Sequence, residues 1–144
     1  MTLRERLLAK RKAKDNAYID LGYGDLLLDA GLEILHSEDF GSYQGDFVFL
    51  VSDGKRKGLL IQGYGSCSGC DALLDAHPWD DDGDFTNLAA LRDSMVSSIV
   101  WAEPGRLHDT FQERLTSKDA DSWWRYADDQ AKAKALTLAY EADQ

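Results

Sequence analysis

Phe47-Val48-Phe49-Leu50-Val51-Ser52-Asp53-Gly54-Lys55-Arg56-Lys57-Gly58-Leu59-Leu60-Ile61-Gln62 sets two short apolar runs on either side of a polar tip. Phe47 to Val51 is aromatic, β-branched and apolar throughout; Gly58 to Gln62 repeats that texture after Asp53-Gly54 opens a turn carrying Lys55, Arg56 and Lys57. Runs of this length bounded by turn residues read as strands of a hairpin. Leu32 to His36 has the same texture, so the stretch 32–63 is expected to form a three-stranded antiparallel meander.

Around this centre the pattern is helical. Thr2 followed by Glu5 makes a capping box, and Leu3, Leu7 and Leu8 form a thin apolar edge among cations, which predicts a basic surface helix over 1–17. Asp25 to Ala30 reads as a short helix or a transition, and Asp71 to Ala76 as another, stopped by His77-Pro78. Leu88, Leu91, Met95 and Ile99 recur at helical spacing, with Asp84 or Thr86 as the cap and an end at Trp101 and Pro104-Gly105. Leu107, Phe111 and Leu115 mark a further helix. A last one is predicted from about Ser122 to Tyr140, with Trp124, Ala127, Ala131, Ala135 and Leu138 on one face. These stripes read as core. The expected architecture is α+β, one domain over 1–144, with the meander packed against several helices and a helix-rich part over 70–142.

The net charge of -10 is unevenly distributed: six Lys/Arg against Glu5 in residues 1–14 give +5 and leave -15 for the rest. Phosphate contacts require cations, so direct nucleic-acid binding by this acidic body is disfavoured. No run approaches the roughly 18 apolar residues of a membrane span, and no secretory leader is legible, which predicts a cytoplasmic protein without a membrane partner. The thin apolar edge on the first helix is the candidate self-association site for a homo-oligomer.

Chemistry, if any, is expected at Gly63-Tyr64-Gly65-Ser66-Cys67-Ser68-Gly69-Cys70-Asp71, which holds both cysteines. A zinc site would need more than this one knuckle; His77 is the nearest supplementary ligand to Cys67 and Cys70. A thiol-redox role would rest on a thiolate at a helix start, but serines flank Cys67 and the preceding strands form a hairpin rather than a βαβ unit. Glycines at 63, 65 and 69 also resemble a phosphate turn, set beside a stretch too acidic for phosphate. The favoured reading is structural: glycines permit positive φ and close approach, Tyr64 covers the bend, and the cysteines fill space beneath the next helix. No cofactor is expected on that reading, with zinc as the alternative. Asp80-Asp81-Asp82-Gly83-Asp84 departs from a calcium loop, since Leu91 stands where the closing Glu belongs.

Gly41-Ser42-Tyr43-Gln44-Gly45-Asp46, the strand and Asp53-Gly54 after it, and the cysteine block through Leu73 together resemble a group of small uncharacterised proteins from tailed phages and actinobacteria. The likeness spans about residues 36 to 101 and implies phage origin without implying a reaction. A non-catalytic protein that binds a host or phage protein through an acidic or aromatic surface, as an inhibitor or DNA mimic, is then the leading expectation. A metal or thiol protein centred on Cys67 and Cys70 is the competing one. The binding candidates are Tyr43, Gln44 and Asp46, in a loop able to display an aromatic, with Tyr64, Asp80, Asp81, Asp82 and Asp84. The plainer alternatives are that Tyr43 packs under the cysteine turn and Asp46 caps backbone amides.

Overall fold

The structure is a computed structural model that describes residues 5, 22–41, 44–65, 71–75, 86–117 and 127–144, with the side chains of 74 and 75 excepted. It has the expected α+β architecture. Four strands, β1 (Glu33–Gly41), β2 (Gly45–Ser52), β3 (Lys57–Tyr64) and β4 (Val100–Ala102), pair antiparallel in chain order. The helices whose bounds fall among the described residues are α1 (Tyr23–Asp29), α2 (Ala72–Asp75), α3 (Thr86–Ser98), α4 (Leu107–Thr116) and α5 (Asp129–Ala142).

Alternate residues of the two central strands feed two cores, which is why both strands read as unbroken apolar runs rather than alternating ones. Phe49, Val51 and Leu60 point to one face and meet Tyr23, Leu26 and Leu27 of α1, Leu73 of α2, and Leu88 and Met95 of α3. Val48, Leu50, Leu59 and Ile61 point to the other, under Leu107 and Phe111 of α4 and the alanine face of α5. The small Ala131, Ala135 and Ala139 let α5 lie close to the sheet. Burying each large apolar side chain contributes about 1.5–3 kcal/mol.

Several boundaries differ from expectation. β1 runs on to Gly41 because a bulge after Ile34 leaves Leu35 as an extra residue: Ile34 pairs with Val51 and His36 with Leu50. α3 ends at Ser98, short of Trp101, because Val100, Trp101 and Ala102 instead pair with Leu59, Gly58 and Lys57. Gly58 makes that pairing feasible: a Cβ there would lie 2.5 Å from Ile99 Cγ2 and 2.8 Å from Trp101 Cε3. α5 begins at Asp129 rather than near 122, with the Asp128 carboxylate accepting the N–H of Gln130 at 2.8 Å. Positive φ falls on Gly31, Gly54 and Gly105 among the described residues, not on Gly63 or Gly65.

Short-range bonds close the turns. Asp25 accepts the N–H of Gly22 at 2.8 Å and starts α1. Gly31, at φ 86, ends it. At the β2–β3 tip Asp53 accepts the N–H groups of Lys55 at 2.9 Å and Arg56 at 2.7 Å. Those two bonds hold the Asp53 carboxyl below its ordinary range. The basic helix expected over 1–17, Glu5 excepted, lies outside the described residues, as do Trp123 and Trp124.

Candidate functional site

The end of the sheet where β1 turns into β2 gathers four aromatic residues. Phe47 stacks on Phe49 at 5.7 Å between ring centroids and meets Tyr64 at 4.7 Å and Tyr23 at 5.9 Å. All four lie on the face covered by α1. Opposite Phe47 and Phe49 on β1 stand Asp39 and Ser37, with Phe47 half-buried and Phe49 buried. A groove of about 340 Å³ lies here, with Phe47, Phe49 and Ile34 along the sheet, Ser37 and Asp39 on the β1 side, and Gly22, Tyr23 and Gly24 forming the wall toward α1.

The Leu35 bulge decides which β1 residues face this groove. It shifts the side-chain alternation by one, turning Ser37 and Asp39 toward Phe49 and Phe47 and sending His36 and Glu38 to the face of α5. On that face Glu38 lies 3.3 Å from His36 and 3.9 Å from Lys134.

Asp39 is held in place by a hydrogen bond that the Tyr64 hydroxyl donates to its Oδ1. Burial first, then this bond and the nearby charges of Asp39 and Asp46, push the Tyr64 phenol up to about 12. Oδ2 of Asp39 has no partner among the described residues, so the carboxylate presents an oriented anionic oxygen at the groove rim.

Beneath the groove, a second tyrosine–aspartate pair anchors the chain on either side of the cysteines. Tyr23 donates to Asp71 Oδ1 at 2.5 Å, and the same carboxylate accepts the N–H of Leu73 at 2.9 Å and, through Oδ2, that of Gly65 at 2.9 Å. Tyr23 Oη also accepts from Leu73 N–H at 3.1 Å. Burial and the Asp71 carboxylate raise the Tyr23 phenol beyond the ordinary tyrosine range.

The sequence-derived candidates separate accordingly. Tyr64 lies at the aromatic end, bonded to Asp39 and packed on Phe47; residues 66–70 of the cysteine turn it was expected to cover lie outside the described residues. Asp46 is buried, and its Oδ2 accepts the N–H of Asp128 at 2.9 Å, so it caps a backbone amide and ties β2 to the entry of α5. Gln44 is exposed between β1 and β2. Tyr43, Cys67, Cys70, His77, Asp80, Asp81, Asp82 and Asp84 lie outside the described residues. Among the described residues no group of three His, Cys, Asp or Glu side chains converges as a metal site would require. No helix among them is long and apolar enough to cross a membrane.

Sequence reasoning missed Asp39, Phe47 and Tyr23 as site-forming residues, and placed Asp71 at the end of the cysteine block without its partner. Ser37-Glu38-Asp39 offered a faint signal, a polar run continuing a strand, but the bulge that aims it has no signature in the residues. The pairing of Tyr23 with Asp71, 48 positions apart, offered none.

No family model, curated protein or solved structure matches the chain.

Proposed function

We propose that this is a non-catalytic, phage-encoded protein of the host cytosol that binds a basic segment of a host or phage protein in the groove between β1 and α1. The observation that carries this reading is the oriented Asp39 carboxylate beside the Phe47 ring. A lysine or arginine joins an apolar stem to a cationic head, and an aromatic floor with an anionic rim matches both parts. The net charge of -15 over residues 15–144 supports it by drawing cationic segments toward the body.

The same geometry favours a structural task for the cysteine block. Its flanking residues Gly65 and Asp71 are bonded to each other, as a shaped bend requires. On the DNA-mimic form of the reading, the partner's basic segment is one that otherwise holds duplex DNA.

The test is capture of partners from host extract by wild type, Asp39→Lys, and the double Cys67→Ala/Cys70→Ala variant, each checked for folding by thermal melting. Wild type and the cysteine variant are expected to retain the same protein and Asp39→Lys to lose it. Retention by Asp39→Lys, or loss on removing the thiols from a folded chain, overturns the reading. Release of the captured protein by duplex DNA supports the mimic form, and failure of DNA to compete removes that form.

A further inference from the structure

Cations collect at the opposite end of the strands. Four of the eight lysines and arginines among the described residues, Lys55, Arg56, Lys57 and Arg106, gather where the β2–β3 tip meets the β4–α4 loop. Their placement is built by backbone. The Asp53 turn fixes Lys55 and Arg56, the pairing of Lys57 with Ala102 brings β4 alongside, and Gly105, at φ 81, turns the chain into Arg106 at the start of α4.

Trp101 lies at the centre. Its indole is half-buried over Gly58, and the Arg56 guanidinium sits 4.9 Å from the ring centroid. Asp53 holds two of the Arg56 nitrogens, at 3.1 and 3.2 Å, so the guanidinium is oriented while its remaining N–H donors are left for another acceptor. The side chains of Arg106 and Lys55 have no partner among the described residues. A groove of about 240 Å³ runs between Arg56, Trp101, Arg106 and Thr110. A second of about 200 Å³, flanked by Lys55 and Lys57, adjoins it at Ala102 and Glu103.

We propose that this end is a second binding surface, independent of the β1 groove and opposite to it in sign, for an acidic peptide segment of a protein partner. Two guanidiniums beside an indole suit carboxylates: each can offer paired N–H donors, and the ring supplies apolar contact for the glutamate or aspartate stem. The grooves are the size of side chains. A long polyanion such as nucleic acid would extend past the cations onto the acidic body, whereas a short acidic segment meets mainly the local patch, since charges beyond a Debye length of about 8 Å are largely screened at physiological salt. Glu103 lines both grooves and Asp143 lines the second, and both carboxylates oppose such a ligand.

The experiment titrates the full chain with a short capped peptide alternating glutamate and glycine, read by amide and indole N–H shifts, with the Trp101 indole assigned through Trp101→Phe. A lysine–glycine peptide and an oligothymidylate of equal charge are the comparison arms. Saturable shifts centred on Arg56, Trp101, Arg106 and Thr110 are expected, weakening with salt and absent with the lysine peptide. Arg106→Gln, at a side chain with no hydrogen-bond or ion-pair partner among the described residues, should melt as wild type does and bind at least tenfold more weakly; Glu103→Gln should bind more tightly. The assignment fails if the Trp101 indole does not move at millimolar peptide, if Arg106→Gln binds as wild type does, or if the oligothymidylate binds more tightly than the acidic peptide.

Discussion

The Asp71 carboxylate accepts the N–H of Gly65 at 2.9 Å, so the chain leaving β3 and the chain entering α2 are tied to one side chain. The five residues between them include both cysteines. Tyr23, 48 positions upstream, holds the same carboxylate from below and couples this bend to α1.

Asp71→Ala removes the shared acceptor of Gly65, Tyr23 and Leu73 in a buried setting. Each orphaned buried donor costs about 1–3 kcal/mol, and part of that is recovered by relaxation, so a loss of about 3 kcal/mol is expected in urea unfolding. Asp71→Asn keeps one acceptor oxygen and should lose less. Equal stability of Asp71→Ala and wild type would show that the bend is not anchored there.

The Tyr64 phenol gives stability a pH signature. An unfolded tyrosine ionises near 10, whereas Tyr64 holds its proton up to about 12 in the fold. Its folded pKa is the higher one, so the contribution is whole below pH 10 and disappears as pH climbs through 12. Phenolate absorbance should reveal a late-titrating tyrosine that is missing from Tyr64→Phe, and that variant should lose stability less steeply in this window. Ionisation of Tyr64 near 10 would contradict the bond to Asp39.

Gly58→Ala places a methyl group 2.5 Å from Ile99 Cγ2 and against the Trp101 ring. Overpacking of this kind costs about 1–3 kcal/mol. The expected loss should be accompanied by faster hydrogen exchange at β4, the three-residue strand that this glycine admits. Undisturbed protection in β4 would mean that Trp101 can move aside freely.

Asp46→Ala leaves the N–H of Asp128 without its carboxylate acceptor and should cost about 1–3 kcal/mol. Exchange should rise first in the opening turn of α5. Partner capture should persist in Asp46→Ala, because Asp46 faces the start of α5 rather than the groove; loss of capture from a folded variant would move the binding surface toward α5.

Local regularities were legible in the residues. The Asp53-Gly54 turn, the apolar texture of Phe47 to Val51, and the Leu107, Phe111, Leu115 spacing each depend on neighbours in sequence, whose geometry follows from backbone sterics and period. The three-stranded meander and the helix-rich half after it followed from these. The fourth strand was not legible, because Val100 to Ala102 is too short to outweigh the helical spacing before it and forms only because β3 offers an open edge beside Gly58.

The groove was less legible still. Its acidic rim depends on a one-residue bulge at Leu35, and its floor depends on α1 lying over β2. The sequence by itself determined the alternation, the turn chemistry, the helical stripes and the segregation of charge, since these rest on residues a few positions apart. Only the tertiary structure decided that Tyr23 meets Asp71, that Asp46 meets Asp128, and that cations from two loops converge on Trp101, because contacts between distant segments are selected by how two cores pack on opposite faces of one sheet.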